Sequence, residues 1–78
     1  MKIEMYTRDD CFWCVKAKEL LREQNLNYTE YKIGKDLTRE EFKEKFPTQR
    51  TVPYIFVDSK AIGGYDNLNE WVTFKYKD

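Results

Sequence analysis

The chain of 78 residues suits one small domain, residues 1–78, predicted to bury only roughly 60% of its unfolded surface. Its 14 Lys plus Arg against 14 Asp plus Glu leave no basic field for nucleic acid, and with no histidine it excludes Ser/His and Cys/His catalysis. At 41% hydrophobic and 17% aromatic it is too apolar for disorder, and no apolar run reaches the ~20 residues of a membrane span. Met1-Lys2-Ile3-Glu4-Met5 has no apolar stretch behind its charge, so the expected setting is the cytoplasm, without a membrane partner.

Lys2 to Tyr6 alternates loosely, with Ile3 and Met5 on one side, and reads as a strand; the polar run Thr7-Arg8-Asp9-Asp10 reads as the following turn. From Phe12 to Gln24 the spacing of Cys14, Ala17 and Leu21, with Val15 and Leu20 beside them, is helical, and Lys and Glu fill the remaining face. Asn25-Leu26-Asn27 breaks that helix. Tyr28 to Ile33, rich in Tyr, Thr and Ile with interleaved charges, reads as a second strand at a sheet edge.

After Gly34, Thr38 is placed to cap a helix with Glu41 reaching back to it. Leu37 and Phe42 are spaced as a hydrophobic staple, Phe42 and Phe46 share the buried face, and Pro47 ends the run. Val52 to Val57 is apolar apart from the Tyr54 hydroxyl, the pattern of a central strand. Asp58-Ser59 turns into a short strand, Lys60 to Ile62, and Gly63-Gly64 breaks it. Asn67 with Glu70 offers a second capping box, ahead of a helix with Leu68, Trp71, Val72 and Lys75 as its buried stripe. The predicted order is β-α-β-α-β-β-α, an α/β domain with helices over one sheet.

The two cysteines, Cys11 and Cys14, bracket Phe12-Trp13 at the start of the first helix. A bridge between residues three apart closes too short a loop to constrain much chain entropy, which argues against a structural staple. The positive end of the helix macrodipole favours a thiolate at Cys11, Arg8 and Lys16 add positive potential, and Asp9 and Asp10 oppose them. Cys11 would attack a substrate disulfide and Cys14, one turn inward, would resolve the mixed disulfide; no general base is needed. The plainer readings are a metal half-site and a pair of inert buried thiols. A zinc site needs four ligands, and the chain has neither a second CxxC nor a histidine, so no metal is expected.

Thr51-Val52-Pro53 is either an ordinary strand start or, with Pro53 cis beside the CxxC, a segment whose Val52 backbone could pair with an extended thiol ligand as an added strand. Gly63-Gly64-Tyr65-Asp66-Asn67 is either a turn with a helix cap or a close backbone approach leading into a helix whose N–H groups could hold a carboxylate.

Together Cys11-Phe12-Trp13-Cys14, Thr51-Val52-Pro53 and Gly63-Gly64-Tyr65-Asp66 resemble the glutaredoxins over nearly the whole chain. The resemblance implies a minimal thioredoxin fold, a four-stranded mixed sheet with three helices, acting as a monomer. It implies reduction of protein disulfides and glutathione mixed disulfides, with glutathione as co-substrate and no tightly bound cofactor. Cys11 matches the nucleophile and Cys14 the resolving thiol. By the same resemblance Arg8, Trp13, Thr51, Val52, Pro53, Gly64, Tyr65, Asp66 and Asn67 form the glutathione site, with ribonucleotide reductase a common client of the family. Three departures stand out: Phe12 replaces the usual Pro, Trp13 replaces the usual Tyr, and the acid often aligned with Asn67 sits one place earlier, at Asp66. Two alternatives stay open, a redoxin fed by thioredoxin reductase and a dimeric carrier of a glutathione-ligated [2Fe–2S] cluster.

Overall fold

Alternation of side chains along β1 (Ile3–Thr7) creates the two layers of the molecule, because successive residues of a strand point to opposite sheet faces. The computed structural model describes residues 1–76. After β1 come α1 (Phe12–Glu23), β2 (Thr29–Lys32), α2 (Arg39–Lys45), β3 (Tyr54–Val57), β4 (Lys60–Gly63) and α3 (Tyr65–Trp71), which runs on into a π-helical segment, Val72–Tyr76. The sheet order is β2-β1-β3-β4, with β2 parallel to β1 and the β3–β4 hairpin antiparallel. This is the minimal thioredoxin fold that the sequence implied. β2 takes the expected edge and β3 lies inside the sheet.

Ile3 and Met5 of β1 and Ile55 of β3 meet Ala17 and Leu21 of α1 and Leu68 and Val72 from the C-terminal helical segment. On the opposite face Tyr6 stacks on Tyr31 at 5.0 Å between ring centroids and meets Phe42 at 5.6 Å and Phe46 at 5.1 Å. Tyr54 and Phe56 complete that aromatic layer under α2. Offset and edge-on packing of such rings adds to their area burial. At the start of α2, Thr38 Oγ1 accepts the Glu41 N–H at 3.0 Å and Glu41 Oε1 accepts the Thr38 N–H at 2.7 Å, the capping box read from the sequence.

Several local expectations are corrected. Val15, read beside the apolar stripe of α1, is exposed, because the buried stripe of the helix runs through Cys14, Ala17 and Leu21, with Leu20 packed partly buried beside it. Thr7, read as turn, is the fully buried last residue of β1. The second capping box does not form: Gly64 is the residue before α3, and Asn67 is already inside the helix, its Nδ2 donating to the Ile62 carbonyl at 2.6 Å. Lys75 is exposed and Trp71 only half-buried, its ring stacked on Tyr76. The predicted strand Val52–Val57 begins at Tyr54, leaving Val52 and Pro53 outside the ladder.

Burial of Thr7 follows from a polar network that joins three elements. Its hydroxyl donates to Glu30 Oε2 of β2 at 2.6 Å, and the Lys18 ammonium of α1 reaches the same oxygen at 2.7 Å. Burial disfavours the Glu30 anion, but bonds from Lys18 and Thr7 and the charges of Lys18 and Lys32 outweigh it and hold the carboxyl below its ordinary range. A carboxylate with a lowered folded-state pKa contributes stability that is complete above its unfolded pKa and is lost as pH falls through the folded one. Glu30→Gln is therefore expected to lower the melting temperature at pH 7 by roughly 4 °C, since the pair is partly solvated. The gap from the parent should close once the parent's Glu30 is protonated, below the ordinary carboxylate range. Thermal melts followed by circular dichroism at pH 7 and in an acid series check this; a gap independent of pH would refute it.

Candidate active site

The chain leaves β1 at Thr7 and reaches α1 within four residues, helped by Asp10, whose φ of 55° lies in the left-handed region that Asp tolerates. This short connection sets Cys11 immediately before the helix, in extended conformation. A helix start leaves backbone N–H groups without intrahelical partners, and here the sulfur fills the role usually taken by a Ser or Asp oxygen. Cys11 Sγ accepts the Cys14 N–H at 3.2 Å. The first turn of α1 carries no acidic residue, so no carboxylate competes with a thiolate there.

Cys14 lies one turn on, with its Cα 5.2 Å from that of Cys11, and the two sulfurs are paired as a disulfide. Both cysteines are buried, Cys14 almost completely. The Val52 carbonyl oxygen lies 3.7 Å from Cys11 Sγ, and the Val52–Pro53 peptide is cis. Gly64 sits beside this segment: a Cβ added there would stand 3.6 Å from the Pro53 carbonyl oxygen. Tyr65, the first residue of α3, packs on Trp13 with 5.3 Å between centroids and 35° between planes. Trp13 in turn meets Phe12 edge-on at 5.0 Å, and both rings are more than half exposed.

Cys11, Cys14, Trp13, Val52, Pro53, Gly64 and Tyr65 are thus brought together from three separate stretches of chain. Thr51 adjoins them, exposed, with its carbonyl accepting Gln49 Nε2 at 3.0 Å. Asp66 is exposed in the first turn of α3, and Arg8 is exposed in the loop before Cys11. Asn67 differs from the others in that its amide is engaged with the Ile62 carbonyl across Gly63, at φ +117°, where an added Cβ would collide with the Asn67 side chain.

Sequence reasoning missed Gln49, which braces Thr51 through both its carbonyl and, at 3.4 Å, its hydroxyl. A Gln two residues from a Thr in a polar stretch carries no pattern that announces this. Thr7 was missed for a related reason: the partner of its hydroxyl, Glu30, lies 23 residues away along the chain. Among the described residues no group of three or more Cys, Asp or Glu is placed to hold a metal ion, and no helix is long and apolar enough to cross a membrane.

The glutaredoxin family model matches residues 3–62, a span holding both cysteines and Val52-Pro53. The probable glutaredoxin slr1562 of Synechocystis sp. is 43% identical over 68 residues, covering 86% of this chain and 62% of the relative. Glutaredoxin 3 of Escherichia coli is 36% identical over 66 residues, covering 85% of this chain and 80% of the relative. Among solved structures, glutaredoxin 1 of Francisella tularensis, complexed with cacodylate, superposes with a TM-score of 0.84 at 30% identity, covering 99% of this chain and 98% of that one. Such relatives indicate thiol–disulfide exchange as the chemistry of the paired cysteines. With its fold, its CxxC at the helix start and most of its length matched, the chain belongs to the glutaredoxin family, thiol–disulfide oxidoreductases of the thioredoxin fold.

Proposed function

We propose that the protein reduces protein disulfides and glutathione mixed disulfides in a reducing cytoplasm, with glutathione as co-substrate, Cys11 as nucleophile and Cys14 as resolving thiol. The observation that carries this reading is the helix-capping bond from the Cys14 N–H to Cys11 Sγ. A donor aimed at that sulfur, at the positive end of α1, stabilises the thiolate and improves Cys11 as a leaving group when the oxidised pair is reduced.

In reduction of a protein disulfide, the Cys11 thiolate attacks one substrate sulfur. The Cys11–substrate bond forms, the substrate S–S bond breaks, and the departing thiolate takes a proton from water. Cys14, as thiolate, then attacks Cys11 Sγ and releases the second substrate thiol. Two glutathione thiols reduce the Cys11–Cys14 disulfide in two exchanges, so the two electrons leave as glutathione disulfide. With a glutathione mixed disulfide, Cys11 attacks the glutathionyl sulfur and releases the protein thiol, and a second glutathione clears Cys11 without Cys14.

For glutathione, the Val52 backbone is the pairing edge for the ligand's cysteine, as in strand addition. Trp13 and Tyr65 form its aromatic wall, while Thr51, Pro53 and Gly64 shape the floor. Arg8 offers a cation to a ligand carboxylate, and Asp66 an anion to the ligand ammonium. The engaged amide of Asn67 supports assigning that anion to Asp66.

Turnover of a glutathione mixed disulfide with glutathione, glutathione reductase and NADPH is the test. The expected result is full activity in that system and little with thioredoxin reductase alone; activity only with thioredoxin reductase would overturn the glutathione reading.

A further inference from the structure

Beyond Tyr65 the surface continues into an open groove of about 470 Å³ along α1, lined by Lys16, Leu20, Arg22 and Glu23 among others, with Tyr65 of α3 at its edge. Lys16, Leu20 and Glu23 succeed Trp13 at helical spacing, so one stripe of α1 leads from the wall of the active site down the groove. From Lys16 to Glu23 the helix rises about 10 Å, the length of roughly three extended residues. Nothing in the proposed glutathione site uses this stretch.

We propose that this groove receives the polypeptide flanking the cysteine of a disulfide substrate, and that it favours an acidic residue close to that cysteine. The proposal rests on the oxidoreductase reading above. Two observations support it. The groove is continuous with the site through Tyr65, whose ring packs on Trp13 and whose side also lines the groove. The first charge met on leaving Trp13 is the Lys16 ammonium, with Glu19, Arg22 and Glu23 further along, where the charges are of both signs. Leu20 between them gives an apolar side chain of the substrate a place to rest.

Disulfide-linked homodimers of a short peptide test this, because either sulfur attacked places a peptide cysteine on Cys11. One peptide carries Glu two residues from Cys on both sides, the other Lys. In each case Cys11 bonds to one peptide and releases its twin as thiol, and Cys14 then releases the second. The readout is the ratio of kcat/KM for the acidic over the basic peptide. Both peptides meet the same thiolate, so any effect of Lys16 on Cys11 cancels in that ratio.

A partly exposed ion pair makes the expected ratio about 3 for the unaltered protein, close to one for Lys16→Gln and below one for Lys16→Glu. A ratio that stays the same in all three proteins overturns the groove proposal. Turnover of the small glutathione mixed disulfide, run alongside, separates the two levels: if it is present while the ratios do not move, only the groove fails. If the unaltered protein turns over neither substrate, the oxidoreductase reading itself fails.

Discussion

Cys11→Ser is expected to abolish turnover of every disulfide substrate, a loss on the order of 10³-fold or more, because a hydroxyl in place of the thiolate can neither attack sulfur nor carry the mixed disulfide. Serine keeps an oxygen able to accept the Cys14 N–H at the helix cap, so the fold is expected to survive. Cys14→Ser should behave differently. It leaves Cys11 and its cap bond in place, so reduction of glutathione mixed disulfides continues, while reduction of protein disulfides stalls at the Cys11–substrate stage. Steady-state rates on both substrate types, with mass measurement of the trapped Cys14→Ser adduct, decide the matter. If Cys14→Ser were as inactive as Cys11→Ser toward the small mixed disulfide, the division of roles between the two sulfurs would be wrong.

Leu21→Ala is the stability change with the largest expected effect. Leu21 is 0% exposed between α1 and the sheet, within the cluster of Ile3, Met5, Ile55 and Leu68. Its truncation removes buried methyl groups and leaves a cavity, costing about 2–5 kcal/mol. Total stability for a chain of this size is of order 4–12 kcal/mol, so the variant is expected to melt at least about 10 °C lower. Val15→Ala serves as the contrast. Both positions are apolar residues on one helix, but Val15 is 52% exposed, and its truncation should change stability by less than about 0.5 kcal/mol. Chemical denaturation of the two variants checks this, and a Val15 effect as large as that of Leu21 would contradict the packing described.

The difference between those two residues marks where sequence pattern stops being sufficient. Apolar spacing in α1 identified the helix and its buried stripe Cys14, Ala17, Leu21, yet it also admitted Val15. Which turn of an amphipathic helix touches the sheet depends on the crossing of two elements, and that is not written in either one. Local chemistry was read correctly at Thr38 and Glu41, because both partners of a capping box lie within one turn. It was misread at Asn67 and Glu70. There Gly63 and Gly64 let the chain turn early, α3 begins at Tyr65, and Asn67 is drawn back to the Ile62 carbonyl instead.

The sequence by itself determined the order of elements, the edge position of β2 and the placing of two thiols at a helix start. Each of these follows from local periodicity, from propensity, or from the dipole of a single helix. Only the tertiary structure decided what surrounds the thiols. The Val52 carbonyl stands 3.7 Å from Cys11 Sγ although 41 residues separate them, and Tyr65 reaches Trp13 from an element that starts 42 residues after α1 ends. The part-buried bond from Thr7 to Glu30 likewise exists only once β1 and β2 pair in parallel register. Such contacts come from sheet pairing and helix packing across distant stretches of chain, where no local pattern records which residues will meet.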